Sequence, residues 1–217
     1  MELLFVHAKS NINVNFDNVN LDGKIGIVTT IQYADSIKRL CKGNYIFCGQ
    51  ILGCNFNNAF KKNKIIDKYL YVGTGRFHAI GLALKTEKDV YILNPISNEF
   101  YKLNKREIEN YKIKKKSALL KFFGSEKIGL LVTLKLGQYT PRKYAELKEK
   151  INNTESIKIL YPGKKFYIFV FNTLRKEELA NFKDIECWIN MACPRIADDY
   201  DIANFEDIVK LPVAAKL

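Results

Sequence analysis

Runs of apolar and β-branched residues alternate along the chain with stretches whose apolar residues recur at helical spacing. In the first half these runs predict four strands, at residues 24–29, 45–48, 69–72 and 90–93. Helices are predicted between the strands, at residues 33–40 and 55–62 and again after Gly75. Strands that are apolar throughout and alternate with helices are typical of a parallel sheet covered on both faces. We expect the strand at 90–93 to be the last one of this unit.

The second half repeats this plan. Lys127 begins the run Lys-Ile-Gly-Leu-Leu-Val-Thr, which closely matches the run Lys-Ile-Gly-Ile-Val-Thr-Thr that begins at Lys24. A helix at 142–151 follows Pro141, and the later elements are strands at 165–171 and 185–191 and a short helix at 175–182. The sequence therefore predicts an α/β fold of two similar domains, each a mainly parallel sheet flanked by helices.

The domain boundary is predicted in the lysine-rich segment around residues 112–121, which separates the two similar units and carries solvated charge. This boundary gives one unit at 21–116 and a second at 117–217. The net charge is +12, but the basic residues are interleaved with 23 acids and only Lys112–Lys116 is a dense basic run. A solvated linker accounts for that run, so we expect no direct nucleic-acid partner.

Composition is that of an ordinary folded protein, with 47% hydrophobic and 27% charged residues. No apolar run is long enough to cross a bilayer. The segment Met1–His7 lacks the basic start and the cleavage site of a signal peptide. We therefore expect a cytoplasmic protein with no membrane partner.

Five cysteines in such a chain argue against a disulfide framework. No pair has C-x-x-C spacing, and two histidines are too few for a typical His-rich metal site, so any metal must be bound by residues that the fold brings together. Ligands of parallel sheets lie outside the carboxyl ends of the strands. The residues expected there are Thr29–Thr30, Cys54 and Gly73–Gly75 in the first unit and Thr133, Gly137–Gln138 and Cys193 in the second.

Five segments, in order and spanning nearly the whole chain, carry a family resemblance. They are Ile27-Val-Thr-Thr-Ile-Gln-Tyr33, Gly49-Gln-Ile-Leu-Gly-Cys54, Tyr71-Val-Gly-Thr-Gly-Arg-Phe-His78, Thr133-Leu-Lys-Leu-Gly-Gln138 and Asn190-Met-Ala-Cys-Pro-Arg-Ile-Ala197. Each is a weak signal alone. Together they resemble the second and third domains of the archaeal diphthamide synthase family, the radical S-adenosylmethionine enzymes of diphthamide biosynthesis.

The resemblance implies a specific chemistry. Family members have three similar α/β domains, and each domain contributes one cysteine to a 4Fe–4S cluster that binds S-adenosylmethionine at its open iron. They cleave this substrate to a 3-amino-3-carboxypropyl radical, which adds to a histidine of elongation factor 2. By position, Cys54 corresponds to the second-domain cluster ligand and Cys193 to the third-domain ligand.

The local sequence agrees with these two ligands. Cys54 follows a glycine at a predicted strand-to-helix turn, where a helix N-terminus favours the thiolate. Cys193 precedes Pro194, so its backbone is expected to be extended and its strand to stop there. The remaining cysteines are interpreted as inert: Cys41 at the end of an amphipathic helix, and Cys48 and Cys187 within apolar strands.

Further residues are candidates for binding the cofactor substrate, while no catalytic residue is assigned. Glycines let backbone N–H groups approach an anionic group, and the resemblance implies that Gly73, Gly75, Arg76 and His78 lie near the cofactor or the cluster. A tight turn with a packed histidine explains the same pattern equally well. Polar side chains that could bind the aminocarboxypropyl group, or simply cap strands, are Gln32, Thr133 and Gln138.

The resemblance also implies that the first domain is missing, with residues 1–20 a remnant of it or a link from it. Three explanations remain open: a separate chain supplies that domain and its cysteine, the chain is truncated or degenerate, or Cys48 or Cys187 substitutes. The first hypothesis is a transferase subunit, incomplete alone, that works in a homo- or hetero-oligomer on elongation factor 2. The alternatives are a non-catalytic scaffold of the catalytic chain and an unrelated RNA-binding α/β domain.

Overall fold

The computed structural model describes residues 6–53, 55–135, 161, 163–200 and 202–209. The chain divides into two compact units, Met1–Asn110 and Tyr111–Leu217. In the part of the chain that is described, no helix is long and apolar enough to span a membrane.

The first unit is a five-stranded sheet with the strand order β2-β1-β3-β4-β5. Strands β1 to β4 are parallel, and β5 pairs antiparallel with β4. The strands are β1 (Ile25–Thr29), β2 (Tyr45–Gln50), β3 (Lys68–Val72), β4 (Val90–Leu93) and β5 (Phe100–Lys102). The helices are α1 (Ala34–Leu40), α2 (Asn57–Lys61) and α3 (Phe77–Thr86), and helix α4 (Lys105–Gly124) begins in this unit and ends in the next.

Both faces of this sheet are buried, as the uniformly apolar strands predict. Ile25 and Ile27 of β1 point to one core, while Val28 points to the other, because successive side chains of a strand alternate between faces. Helix α3 covers the second face with Ala79, Leu82, Ala83 and Thr86, which recur at three- and four-residue spacing.

The second unit is a four-stranded parallel sheet with the order β7-β6-β8-β9. Its strands are β6 (Lys127–Thr133), β7 (Lys165–Phe171), β8 (Cys187–Asn190) and β9 (Ala203–Asn204). Its short helices are α5 (Lys176–Leu179), α6 (Ile196–Asp199) and α7 (Phe205–Val209). Phe122 of α4 is fully buried against this sheet with Ile128, Leu130 and Ile189.

The two sheets share a register as well as an order. In the first, Gly26 of β1 lies opposite Tyr69 of β3, and in the second, Gly129 of β6 lies opposite Trp188 of β8. In both pairs the aromatic ring occupies the space that a Cβ atom at the glycine would need. Tyr69 and Trp188 therefore occupy equivalent positions. Two residues later on each strand, Tyr71 is the counterpart of Asn190.

The α/β class and the mainly parallel sheets are confirmed. One prediction was wrong: residues 90–93 are not the last strand of the first unit, because β5 (Phe100–Lys102) adds an antiparallel edge. The lysine-rich segment at 112–121 lies within helix α4, whose Phe122 packs in the second core. The predicted helix at 142–151 lies outside the described residues.

Candidate functional site

The turn that carries Cys193 is built on the last residue of β8. Asn190 is 2% exposed. Its Nδ2 donates to the carbonyl oxygen of Cys193 at 2.9 Å, and its Oδ1 accepts from the N–H of Ala192 at 3.0 Å. One buried amide therefore holds the backbone on both sides of the peptide that joins Ala192 to Cys193. We call residues 191–195 the cysteine turn.

Neighbouring elements complete this arrangement. The Nδ2 of Asn190 also donates to Oδ1 of Asn204, at 2.8 Å, where β9 pairs with β8. The N–H of Met191 donates to the carbonyl of Leu131 on β6, at 3.0 Å, and the N–H of Ile196 donates to the carbonyl of Cys193 at 3.0 Å. Cys193 is a free cysteine and is partly exposed at the carboxyl end of β8.

Other cysteines have a different environment. Cys48 and Cys187 are 3% and 2% exposed and lie in the two hydrophobic cores. Burial raises the pKa of each thiol to about 11, and burial likewise raises the pKa of Cys41 to about 11. These thiols are protonated at physiological pH, as expected of inert structural cysteines. Cys54 lies outside the described residues, so its ligand role stays a prediction.

In the first unit, the segment Gly73–Gly75, which we call the glycine loop, follows β3 and precedes α3. Tyr71 is fully buried, and its hydroxyl donates to the carbonyl of Thr74 and lies 3.3 Å from Nδ1 of His78. Gly75 has φ +76°, a conformation that favours glycine. Before the loop, the hydroxyl of Thr29 donates to the carbonyl of Val72 at 2.7 Å.

Arg76 forms an ion pair with Glu107, with 3.1 Å between Nη1 and Oε2. A hydrogen bond to Tyr101 and the charge of Glu107 raise the pKa of Arg76 above its usual range. The arginine side chain is 59% exposed, so it reaches solvent while it is held at the start of α3.

Of the remaining candidates, Gln32 lies in a short 3-10 helix after β1 and Thr133 lies at the end of β6. Gln32 accepts a hydrogen bond from the Thr30 hydroxyl, and its backbone carbonyl accepts from Ser10 at 3.0 Å. Thr133 is buried at the end of β6, where its hydroxyl accepts from the N–H of Lys135 at 3.1 Å. Gln138 lies outside the described residues. The binding roles of all three stay predictions.

Sequence reasoning missed the residues that hold these loops in place. Four of them were given no separate role from the sequence: Asn190, Asn204, Tyr71 and Glu107. Of these, only Asn190 could have been found from the sequence. It is an amide at the end of an apolar strand, three residues before a cysteine, and a buried amide needs hydrogen-bond partners nearby.

The described residues do not form a metal centre by themselves. Among them, no group of three or more His, Cys, Asp or Glu side chains is placed to hold a metal ion. The donor chemistry at Cys193 nevertheless fits an iron–sulfur cluster, because cysteine thiolates are the usual ligands of such clusters and this thiol is partly exposed.

Comparison with known proteins gives the family. The model of the diphthamide synthesis protein family matches residues 1–213. The chain belongs to this family. It is 33% identical over 180 residues to the 2-(3-amino-3-carboxypropyl)histidine synthase of Methanocaldococcus jannaschii, covering 82% of this chain and 47% of that protein. For the Pyrococcus horikoshii synthase the identity is 31%, covering 70% of this chain and 40% of that one.

Eukaryotic family members also match. The Caenorhabditis elegans protein named 2-(3-amino-3-carboxypropyl)histidine synthase subunit 1 is 27% identical, covering 92% of this chain and 52% of its own length. The chain thus spans about half the length of the curated relatives that it matches.

Solved structures in the family share the fold. The crystal structure of Dph2 from Pyrococcus horikoshii superposes with a TM-score of 0.65 at 23% identity, covering 86% of this chain and 56% of that one. A second crystal structure of that protein, with a 4Fe–4S cluster, gives the same values. At this identity the likeness shows the α/β fold.

Proposed function

We propose that this chain is a subunit of the enzyme that transfers the 3-amino-3-carboxypropyl group of S-adenosylmethionine to a histidine of elongation factor 2. Family membership supports the first step of diphthamide biosynthesis, because the archaeal relatives are named 2-(3-amino-3-carboxypropyl)histidine synthases. The observation that carries the proposal to this chain is Cys193, a partly exposed free thiol on a turn held by buried amides at a strand end.

A 4Fe–4S cluster would be held by Cys193, Cys54 and a third thiolate from another chain or domain. The solved Dph2 structure that contains a 4Fe–4S cluster supports this choice of cofactor. When bound, the cluster supplies the electron that breaks a carbon–sulfur bond of S-adenosylmethionine. Among the described residues no three-ligand group exists, and the outside ligand is part of the proposal.

The residues of this chain bind and orient the substrate. Gly75, with open space where a Cβ would stand, lets backbone N–H groups of the glycine loop approach the substrate carboxylate, and Gly73 leaves room for the Tyr71 hydroxyl beneath the loop. Arg76 supplies a positive charge beside that loop, and Glu107 steers its side chain. The polar groups of His78, Gln32, Thr133 and Gln138 are proposed to orient the rest of the aminocarboxypropyl group.

Partners follow from the reaction. Elongation factor 2 is the proposed protein substrate, and cytoplasm the proposed compartment. The proposed second partner supplies the missing thiolate, in a homo- or hetero-oligomer, and the name "subunit 1" of several eukaryotic relatives supports an enzyme of more than one chain.

Anaerobic reconstitution with iron and sulfide tests this function. The chain alone is expected to form a weak, labile cluster, and the chain with its partner a stable one with broad absorption near the visible range. Cys193→Ser is expected to abolish this absorption. Cys187→Ser, which changes a buried thiol of the same unit, is the matched control and is expected to retain it. A cluster that is indifferent to Cys193 and Cys54 would rule the proposal out.

A non-catalytic scaffold of the catalytic chain is the second candidate. Reduction of the reconstituted complex with S-adenosylmethionine separates the two. The subunit hypothesis expects cleavage of S-adenosylmethionine that stops in Cys193→Ser, whereas the scaffold hypothesis expects cleavage that does not depend on Cys193.

A further inference from the structure

We propose that Asn190, supported by Asn204, is a positioning residue that presents Cys193 to the iron–sulfur cluster. The inference rests on the proposed function, in which Cys193 binds iron. It assigns a role to two buried amides that are not ligands themselves.

The hydrogen bonds of Asn190 allow only one orientation of its amide. The oxygen faces the N–H of Ala192 at 3.0 Å, and the nitrogen faces the carbonyl of Cys193 at 2.9 Å. A flipped amide would set nitrogen against N–H and oxygen against carbonyl, so both bonds would be lost. Asn204 presents its oxygen to the same nitrogen at 2.8 Å, which fixes the amide from the other side.

Burial shows that this arrangement has a cost. Asn190 and Asn204 are 2% and 8% exposed, among apolar neighbours such as Ile189 and Ala203. A buried amide is unfavourable unless it is hydrogen-bonded, and an apolar residue would fill the same space without that requirement. Through the hydrogen bonds of Asn190, the pair acts on the cysteine turn, and we infer that its purpose is the geometry of that turn.

The first unit uses the equivalent position in a similar way. Tyr71 is the counterpart of Asn190 in the shared register, and its hydroxyl donates to the carbonyl of Thr74, three residues ahead, at 3.3 Å. Asn190 likewise donates to the carbonyl three residues ahead. Two chemically different side chains thus hold the same point of equivalent loops, and in the second unit that point is a cysteine.

Holding the carbonyl of Cys193 restricts its thiol. That carbonyl accepts two hydrogen bonds, from Asn190 and from the N–H of Ile196, and the following residue is Pro194 with its fixed φ. With the backbone fixed on both sides, the thiolate keeps few positions and loses little entropy on binding iron. Mutation of a residue that orients a metal ligand in this way typically lowers metal affinity by about 10–100-fold.

The test uses variants that remove the Nδ2 donor of Asn190, and with it the bonds to Cys193 and Asn204, in the reconstituted complex. Asn190→Asp keeps an acceptor for Ala192 but cannot donate to the carbonyl of Cys193. Asn190→Ser offers the same acceptor and is too short to reach that carbonyl. Ser125→Ala, which removes a buried hydrogen bond to Lys121 elsewhere in the unit, is the matched control.

Two readouts separate positioning from folding: the rate of iron loss to a chelator and the electron paramagnetic resonance spectrum of the reduced cluster. We expect Asn190→Asp and Asn190→Ser to lose iron about 10–100-fold faster and to show a shifted spectrum, while Ser125→Ala keeps both near wild type. Circular dichroism confirms that each variant is folded.

The failures are distinguishable. If the wild-type complex forms no cluster that depends on Cys193, the proposed function falls and this inference falls with it. If the wild type forms such a cluster and folded Asn190 variants match it in iron loss and spectrum, only the positioning role is overturned. If Ser125→Ala changes both readouts as much as Asn190→Asp, the effect is one of general stability and the positioning role is again overturned.

Discussion

The hydroxyl of Tyr71 lies 3.3 Å from Nδ1 of His78, and their rings lie 5.6 Å apart. That hydroxyl gives its proton to the carbonyl of Thr74. We therefore expect Nδ1 of His78 to carry a proton and to donate it to the phenol oxygen, which leaves Nε2 as the acceptor of the imidazole.

Tyr71→Phe tests this pairing. The variant is expected to lose about 1 kcal/mol of unfolding free energy, because a buried hydrogen bond to Thr74 disappears. We also expect the His78 tautomer to shift towards Nε2–H, as measured by the ¹⁵N shifts of the imidazole. Tyr33→Phe, at another buried tyrosine of this unit, is the control that should leave those shifts unchanged. Unchanged imidazole shifts in Tyr71→Phe would contradict the proposed tautomer.

Substitution of Gly73 and of Gly75 in the glycine loop should destabilise the fold for different reasons. A Cβ atom at Gly73 would lie 2.5 Å from the hydroxyl oxygen of Tyr71, whereas at Gly75 it would meet nothing within 4 Å but would sit at φ +76°. We expect Gly75→Ala to cost about 1–2 kcal/mol through backbone strain alone. Gly75→Asn should restore part of that loss, because asparagine tolerates this conformation.

The same exchange at Gly73 provides the contrast. Gly73→Asn should be no better than Gly73→Ala, since the obstacle there is the Tyr71 hydroxyl and not the backbone. Chemical denaturation of the four variants measures these differences. Equal behaviour of asparagine at both positions would contradict the separate causes.

Much of the fold follows from the sequence, because strands such as β1 and β3 are continuous apolar runs and are buried, whereas β7 has the same pattern but is mostly exposed. The same reasoning explains the buried Cys48 and Cys187. Edge strand β5 was missed because three residues after a turn carry almost no pattern. The hydrogen bond between Asn190 and Asn204 could not be predicted from the sequence either, since it depends on the register of β8 with β9.

Cysteine reactivity should separate the thiols by burial. Iodoacetamide reacts with thiolates, and a thiol of pKa about 11 is about one part in a thousand ionised at pH 8. We expect Cys193 to be alkylated well before Cys48 and Cys187 in the folded chain, as mass spectrometry of peptides measures. If Cys48 and Cys187 were alkylated at similar rates with and without denaturant, their burial would be contradicted.

The same pKa shifts predict a pH dependence. In the folded chain the pKa of Cys187 is raised by burial from 9.0 to about 11, so the folded state keeps a proton that the unfolded state releases. Stability is therefore complete below about pH 9 and falls as the pH rises towards about 11. Cys187→Ala should show a smaller fall over this range than the wild type does in parallel denaturant titrations.

The glycine–aromatic pairs that define the shared register provide the last test. A Cβ atom at Gly129 would overlap the ring of Trp188, and one at Gly26 would lie 2.6 Å from the ring of Tyr69. Both Gly129→Ala and Gly26→Ala are therefore expected to cost about 1–3 kcal/mol through overpacking of a central strand. Gly124→Ala is the control, because nothing lies within 4 Å there and alanine favours the end of helix α4.

Fluorescence makes this test specific to one unit, since Trp188 is the only tryptophan of the chain. Gly129→Ala should lower the denaturant midpoint of the Trp188 signal, while Gly124→Ala should leave it level or raise it. Gly26→Ala should lower the midpoint of the far-ultraviolet circular dichroism signal by destabilising the first sheet. A Gly129→Ala midpoint equal to that of Gly124→Ala would contradict the packing of Trp188 over Gly129 of β6.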